Sequence, residues 1–154
     1  MTNRATKLTQ LIVGPVSSVE DYADSASESR GEVVLTQRAS FDPTSASQVD
    51  LFTLPIGARV LDVVSLGGAT GGASPTVDVG ISGGDDDAFA NELDADGVSS
   101  ALAAGTTGAS YGAILTADTV VAGKVGASAA TGGTTTIEVK YALATNSIAD
   151  PSSY

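Results

Sequence analysis

The segment TTTIEVKYALAT (residues 134–145) alternates between apolar and polar residues along most of its length. Ile137 and Val139 fall on one face of an extended chain. Glu138 and Lys140 fall on the other face, where we expect both side chains to meet water. A period of two residues is that of a β-strand with one buried face. The segment therefore predicts a strand that covers a hydrophobic core.

The same period recurs earlier in the chain, between segments rich in Gly, Pro and Asp. Six to eight short strands at this spacing predict an all-β fold, either an antiparallel β-sandwich or a jelly-roll. Helical patterns do not alternate with these strands, which argues against a doubly wound sheet. The other predicted strands lie within GEVVLTQRAS (31–40), LFTLPIGARVLDVVSL (51–66, two strands separated by Pro55 and Gly57), SPTVDVGIS (74–82) and YGAILTADTVVAGKVGA (111–127).

The pattern divides the chain into three parts. Residues 31–145 form the predicted β-sandwich domain, and residues 146–154 form a C-terminal tail. Residues 1–30 form an N-terminal arm that is partly helical, since Ser17 or Ser18 can cap a helix that ends at Gly31. Two interpretations of the arm stay open: it is mobile, or it orders against a neighbouring subunit.

An arm that reaches a neighbour needs an apolar anchor, and the segment LIVGPV supplies one. The strand that follows the arm carries further apolar residues. The candidates for contact between subunits are Leu11, Ile12, Val13, Val33 and Leu35.

Charge and composition exclude several classes of function. The formal net charge is −11, with seven basic residues, and none of them lies between Arg59 and Lys124. Binding of nucleic acid or of an anionic membrane needs clustered Lys and Arg, so neither partner is predicted. The chain has no Cys and no His, which removes thiol chemistry and the commonest general base and metal ligand. No 18-residue apolar run is present, and no cofactor-binding motif was found.

The segment DDDAFANELDADG (85–97) concentrates six acidic residues and has three possible roles. Calcium binding is the first, because Ca²⁺ takes carboxylate oxygens. An EF-hand fails: with Gly97 at the sixth position of the loop, Ala103 stands where the bidentate carboxylate belongs. A less regular calcium site remains open, with candidate ligands Asp85, Asp87, Asp94 and Asp96.

Catalysis by paired carboxylates is the second role, and it is disfavoured. Glycosidase sites of this kind lie in aromatic clefts, and this chain has no Trp and few other aromatic residues. The third role is structural and is favoured: a short helix near 86–93, capped by Asp85 or Asp86, with Phe89 and Leu93 turned to the core. The chain is therefore predicted not to be an enzyme.

Four segments resemble a recurrent type of small tailed-phage virion protein: LPIGARVLDVVSL (54–66), VDVGISGGDDDAFANEL (77–93), YGAILTADTVVAGKV (111–125) and TTTIEVKYAL (134–143). The resemblance covers about residues 50 to 143. It implies a β-sandwich or jelly-roll subunit of the capsid decoration (cement) type, which binds the outer capsid surface and stabilises the shell.

The resemblance also implies partners and a location. The partners are the major capsid protein and further copies of the chain, as a homotrimer, and the location is the virion surface after assembly in the host cytoplasm. Two alternatives stay open. One is a component of a fibre, spike or tail appendage, and the other is a calcium-dependent binding module.

Overall fold

The computed structural model describes residues 32–144. The chain divides into two compact units, and one of them, Val34–Leu143, lies wholly within the described residues. The predicted arm (1–30) and tail (146–154) lie outside them, so the predicted domain boundaries stay predictions. Within the described residues, no helix is long and apolar enough to cross a membrane.

Ten strands and one short helix make up the described chain. In order they are β1 (Glu32–Phe41), β2 (Val49–Leu54), β3 (Arg59–Leu66), β4 (Ala69–Thr70), β5 (Thr76–Ile81), β6 (Ala90–Asp94), β7 (Val98–Ser100), α1 (Ala101–Ala104), β8 (Thr119–Val125), β9 (Gly132–Gly133) and β10 (Thr135–Ala144). The predicted strands are all present, and the chain does break between β2 and β3 at Pro55–Gly57. Most strand ends differ from the prediction by a few residues, but within 111–127 the strand, β8, begins only at Thr119.

The strands form two four-stranded sheets in the orders β1-β10-β3-β7 and β2-β8-β5-β6, and β4 pairs with β9. When the eight longer strands are counted in chain order, the two sheets read 1-8-3-6 and 2-7-4-5. Successive strands thus mostly cross from one sheet to the other, as they do in a jelly roll. The predicted all-β sandwich is confirmed, and its strand order is that of the jelly roll.

The core lies between the two sheets. Val63, Ile137 and Val139 enter it from the first sheet, while Val79 and Val121 enter it from the second, and all five are fully buried. A Cβ atom on Gly123 of β8 would lie 2.7 Å from the ring of Phe41 on β1, so the ring packs directly on the backbone of the other sheet. This contact requires glycine there.

A β-bulge interrupts the pairing of β3 with β10. Lys140 is opposite Asp62 and Tyr141 is opposite Val60, which leaves Leu61 without a partner in β10. The hydroxyl of Tyr111 donates a hydrogen bond to the Leu61 carbonyl, at 2.6 Å. The extra residue is therefore accommodated by a side chain from the loop before β8.

The predicted helix near 86–93 is wrong. Residues 85–89 form turns, and from Ala90 the chain is β6, paired with β5. Phe89 and Leu93 are both fully buried, as predicted, but without a helix: Phe89 lies just before β6 and donates its N–H to the Val79 carbonyl, and Leu93 pairs with Val77. A spacing of four residues places two side chains on one face of a helix, which is why the sequence favoured one. In the structure β6 has an extra residue between Ala90 and Leu93, which pair with Val79 and Val77.

Glu138 also differs from the prediction. It lies on the outer face of β10 but is 8% exposed, because the Arg38 guanidinium on β1 covers it, with Nε 2.6 Å from Oε2. Lys140, two residues further along, is exposed as predicted.

Candidate functional site

The acidic loop that follows β5 folds back onto that strand. The Ile81 N–H donates to the Asp85 carbonyl at 2.7 Å, and the Phe89 N–H donates to the Val79 carbonyl at 2.9 Å. A Cβ atom on Gly80 would overlap the carbonyl groups of Asp85 and Asp86, so the loop rests on the bare backbone of Gly80. These contacts fix the start of the acidic segment over the second sheet.

Asp85, Asp86 and Asp87 have carboxylate oxygens within 4.8 Å of one another. Asp86 forms an ion pair with Lys124 of β8, and the hydrogen bond from Lys124 lowers the pKa of the Asp86 carboxyl. The pKa of Asp87 is raised, first by a hydrogen bond shared with Asp85 and then by burial and by the neighbouring negative charges. The group is therefore an acidic cluster with one cation already attached to it.

The other two predicted calcium ligands lie in a separate turn. The Asp94 carboxylate accepts hydrogen bonds from the N–H groups of Asp96 and Gly97, at 3.1 and 3.2 Å. Its hydrogen bond with the Asp96 carboxyl raises the pKa of Asp96. Among residues 32–144, the group close enough to hold a metal contains Asp85 and Asp87 with Asp86, and it does not include Asp94 or Asp96.

The calcium prediction can be tested by thermal melting. If the cluster binds Ca²⁺, millimolar calcium will raise Tm relative to a chelator, because a ligand that binds the folded state stabilises it. Asp85→Asn would then remove the rise, and Asp94→Asn would leave it in place, since Asp94 lies outside the cluster. Equal Tm values with calcium and with chelator would rule the calcium-binding function out.

Asp78 on β5 supports a strained position on β6. The two strands shift register between Val77 and Val79, and Glu92 takes a left-handed backbone with φ of 53°. The Asp78 carboxylate accepts a hydrogen bond from the Glu92 N–H at 2.8 Å. Burial raises the pKa of Asp78, the Glu92 hydrogen bond opposes this shift, and the negative charges of Asp86 and Glu92 add to it.

Two substitutions of Asp78 distinguish the effect of its hydrogen bond on stability from the effect of its charge. We expect Asp78→Asn to be at least as stable as the wild type at pH 7, because the amide oxygen still accepts from Glu92 while the half-buried charge is gone. Asp78→Ala loses the acceptor and should cost about 1 kcal/mol.

The pH dependence of unfolding has a defined sign for this pair. Since the folded pKa of Asp78 is raised, its ionised form weakens the fold at pH 7, and this penalty is lost as pH falls from the folded pKa towards the unfolded value of 3.8. The difference between Asp78→Asn and the wild type should therefore shrink on acidification. Urea unfolding at several pH values measures it, and an Asn variant less stable than the Ala variant would contradict the account.

The predicted contact residues are only partly within the described chain. Leu11, Ile12 and Val13 lie outside it. Val33 and Leu35 lie on β1, which is the edge strand of the first sheet, and they are 44% and 38% exposed. Their exposure is compatible with a contact role, which stays a prediction.

Sequence reasoning missed a second group of exposed apolar side chains at the opposite edge of the same sheet. Leu66 on β3 and Val98 on β7 are paired across the strands, and Leu102 follows in α1. They are 37%, 77% and 57% exposed. Only the strand order shows that they are neighbours. One feature of the sequence indicates the short helix that carries Leu102. Ser100 stands at the N-cap position before ALAA, and Gly105 stands at the C-cap position after it.

The fold and its exposed edges define the architectural class of the described chain. The described chain is a two-sheet jelly roll with acidic loops and apolar side chains at its sheet edges, an architecture that occurs in viral capsid, lectin and cupin domains.

Comparison with solved structures narrows this class. One similar chain belongs to the acidic stable capsid structure of Helicobacter pylori bacteriophage KHP30, with a TM-score of 0.54 and 17% identity over 74% of this chain and 93% of that one. Another belongs to the capsid asymmetric unit of the cyanophage Pam1, with a TM-score of 0.53 and 26% identity over 73% of this chain and 86% of that one. The first likeness concerns the fold alone.

No family model matches the chain, and no curated protein matches it. The chain is thus similar in fold to proteins found in two phage capsid structures.

Proposed function

We propose that this chain is a structural protein of a phage virion. The observation that carries the proposal is the shared fold with chains of two phage capsid structures, over nearly three quarters of this chain. Within that role, we propose a decoration (cement) protein that binds the outer face of the shell, with the major capsid protein and further copies of itself, as a trimer, as its partners. The role is non-enzymatic.

Charge and exposed surface support this role. A net charge of −11 keeps a protein that is made in many copies soluble before it assembles. Exposed apolar side chains at both edges of the first sheet are available for contacts with neighbouring proteins, since burial of apolar surface favours association. A jelly roll presents such edges at fixed positions on a rigid scaffold.

A reconstitution experiment tests the proposal. Shells of the phage that encodes the chain are prepared without it, mixed with the purified protein, and sedimented. We expect the protein to sediment with the shells at a saturating, regular stoichiometry, and to raise the temperature at which the shells come apart. Shells that bind no protein, or that bind it without gaining stability, would contradict the decoration role.

The same binding assay tests the predicted arm as a contact element. We expect Leu11→Asp combined with Val13→Asp to abolish trimer assembly or shell binding, because two charges replace the apolar anchor. Thr6→Asp combined with Thr9→Asp adds the same charge next to the anchor and should bind normally. Full occupancy of the Leu11/Val13 variant would refute the arm as a contact element.

A further inference from the structure

The edge of the first sheet at β7 carries three exposed apolar side chains, those of Leu66, Val98 and Leu102, which we call the β7 patch. Leu66 and Val98 are opposite each other in the β3–β7 pair, so their side chains share a face. The Ser100 hydroxyl, two residues beyond Val98, donates to the Asp62 carboxylate, which also accepts the Leu102 N–H at 3.2 Å. The strand pairing places Leu66 and Val98 on the same face of the sheet, and the bond to Asp62 fixes the backbone of Leu102 just beyond β7.

Nothing in the described chain covers this patch. β7 is the last strand of its sheet, and Val98 is 77% exposed, the highest value among the large apolar side chains described. The helix that follows β7 is capped at both ends. The Ser100 side chain accepts a hydrogen bond from the Ala103 N–H, and the Gly105 N–H donates to the carbonyls of Ala101 and Leu102. Leu102 is therefore exposed on a short helix whose two ends are held by hydrogen bonds.

Negative charge lies at the end of the β7 patch where the chain enters β7. Asp94 and Asp96 lie directly before β7, whereas Asp62, which lies beside Leu102, is opposite the exposed Lys140 of β10. Within residues 32–144, neither Asp94 nor Asp96 has a cation as a partner, and their shared hydrogen bond raises the pKa of Asp96. From residue 60 to residue 123 the sequence contains no Lys or Arg. Among residues 32–144, no Lys or Arg forms an ion pair with Asp94 or Asp96, so these two carboxylates are open to cations of a partner.

We propose that the β7 patch is the surface by which this protein docks on a partner protein whose own surface is apolar at the centre and carries Lys or Arg at the rim. The inference rests on the proposed function, in which that partner is the capsid shell. Apolar contact with Leu66, Val98 and Leu102 supplies affinity, while cations opposite Asp94 and Asp96 fix the orientation and make binding salt-dependent.

Shell binding by three lysine variants tests the inference. We expect Val98→Lys and Asp96→Lys each to raise the dissociation constant for shells about 10-fold or more, since each brings like charge to a basic partner. Ile114→Lys is the matched control, because Ile114 is 65% exposed but lies away from β7, opposite Arg59 at the start of β3. It should bind within about 2-fold of the wild type. Wild-type binding should weaken as salt is raised.

The experiment distinguishes failure of this inference from failure of the proposed function. Thermal melting first establishes that each variant is folded; Asp96→Lys is the safer variant, since it removes a like-charge contact with Asp94. Wild-type protein that does not bind shells contradicts the proposed function. Wild-type protein that binds while Val98→Lys or Asp96→Lys binds equally well contradicts this inference alone. Sedimentation of the free protein is the last test: if the two variants break up a multimer and still bind shells, the patch faces a second copy and the inference is overturned.

Discussion

Phe89→Ala is expected to lower the free energy of unfolding by about 3–5 kcal/mol. Phe89 is the largest of the fully buried side chains, and it fills the core where the acidic loop joins β6. Its backbone is fixed on both sides, since its N–H donates to Val79 and its carbonyl accepts from Gly108. The chain therefore cannot move inward to fill the cavity that truncation leaves.

Urea unfolding measures this loss. Phe89→Leu keeps most of the volume and should cost about 1.5 kcal/mol or less. Phe52→Ala removes the same number of atoms from a partly exposed side chain and should cost less than Phe89→Ala. A loss below about 1 kcal/mol for Phe89→Ala would mean that Phe89 is not a core residue, and the position of β6 would have to be revised.

Gly80→Ala is expected to destabilise the fold by about 1–3 kcal/mol through one added methyl group. The new Cβ would overlap the carbonyl groups of Asp85 and Asp86, which are backbone atoms and cannot rotate away. The acidic loop must then lift from β5, which breaks the hydrogen bond from Ile81 to Asp85 and separates Asp86 from Lys124.

Gly84→Ala is the matched control; Gly84 lies four residues after Gly80, in the loop that follows β5. Its Cβ would meet the Ile81 side chain at 3.6 Å, which is ordinary contact, and its backbone is not left-handed. We expect its stability to change little, or to rise by about 0.5 kcal/mol because the unfolded chain loses freedom. Equal stabilities for the two alanine variants would show that the loop does not rest on Gly80.

The strands could be predicted from the sequence because each one has a buried and an exposed face. In β10 the alternation alone identifies Ile137 and Val139 as core residues, and both are fully buried. The break at Pro55 also depends on local chemistry, since proline cannot donate to a ladder. Such features need no knowledge of which strands are neighbours.

The acidic segment could not be predicted in the same way. Its capping residues and the spacing of Phe89 and Leu93 fit a helix. The deciding interactions are long-range: the pairing of β6 with β5, and the left-handed Glu92 that Asp78 supports. The cover of Glu138 by Arg38 likewise depends on β1 lying beside β10, one hundred residues apart in the chain.

The candidate contact surfaces also differ in whether the sequence alone could identify them. Val33 and Leu35 could be proposed from sequence because they lie together in one apolar strand. The β7 patch could not, since Leu66 and Val98 become neighbours only when β7 joins β3. The sequence also suggested one calcium site from four aspartates, whereas the structure groups Asp85 and Asp87 with Asp86 and leaves Asp94 and Asp96 in a separate turn.

The number of copies in the virion tests the central claim most directly. Purified virions of the phage that encodes the chain are analysed by quantitative mass spectrometry, and the copy number is taken relative to the major capsid protein. The account predicts a ratio near one or a simple fraction of it, as a protein that decorates the capsid lattice requires. A few copies per particle would instead place the protein in an appendage, and its absence from virions would contradict the proposed function altogether.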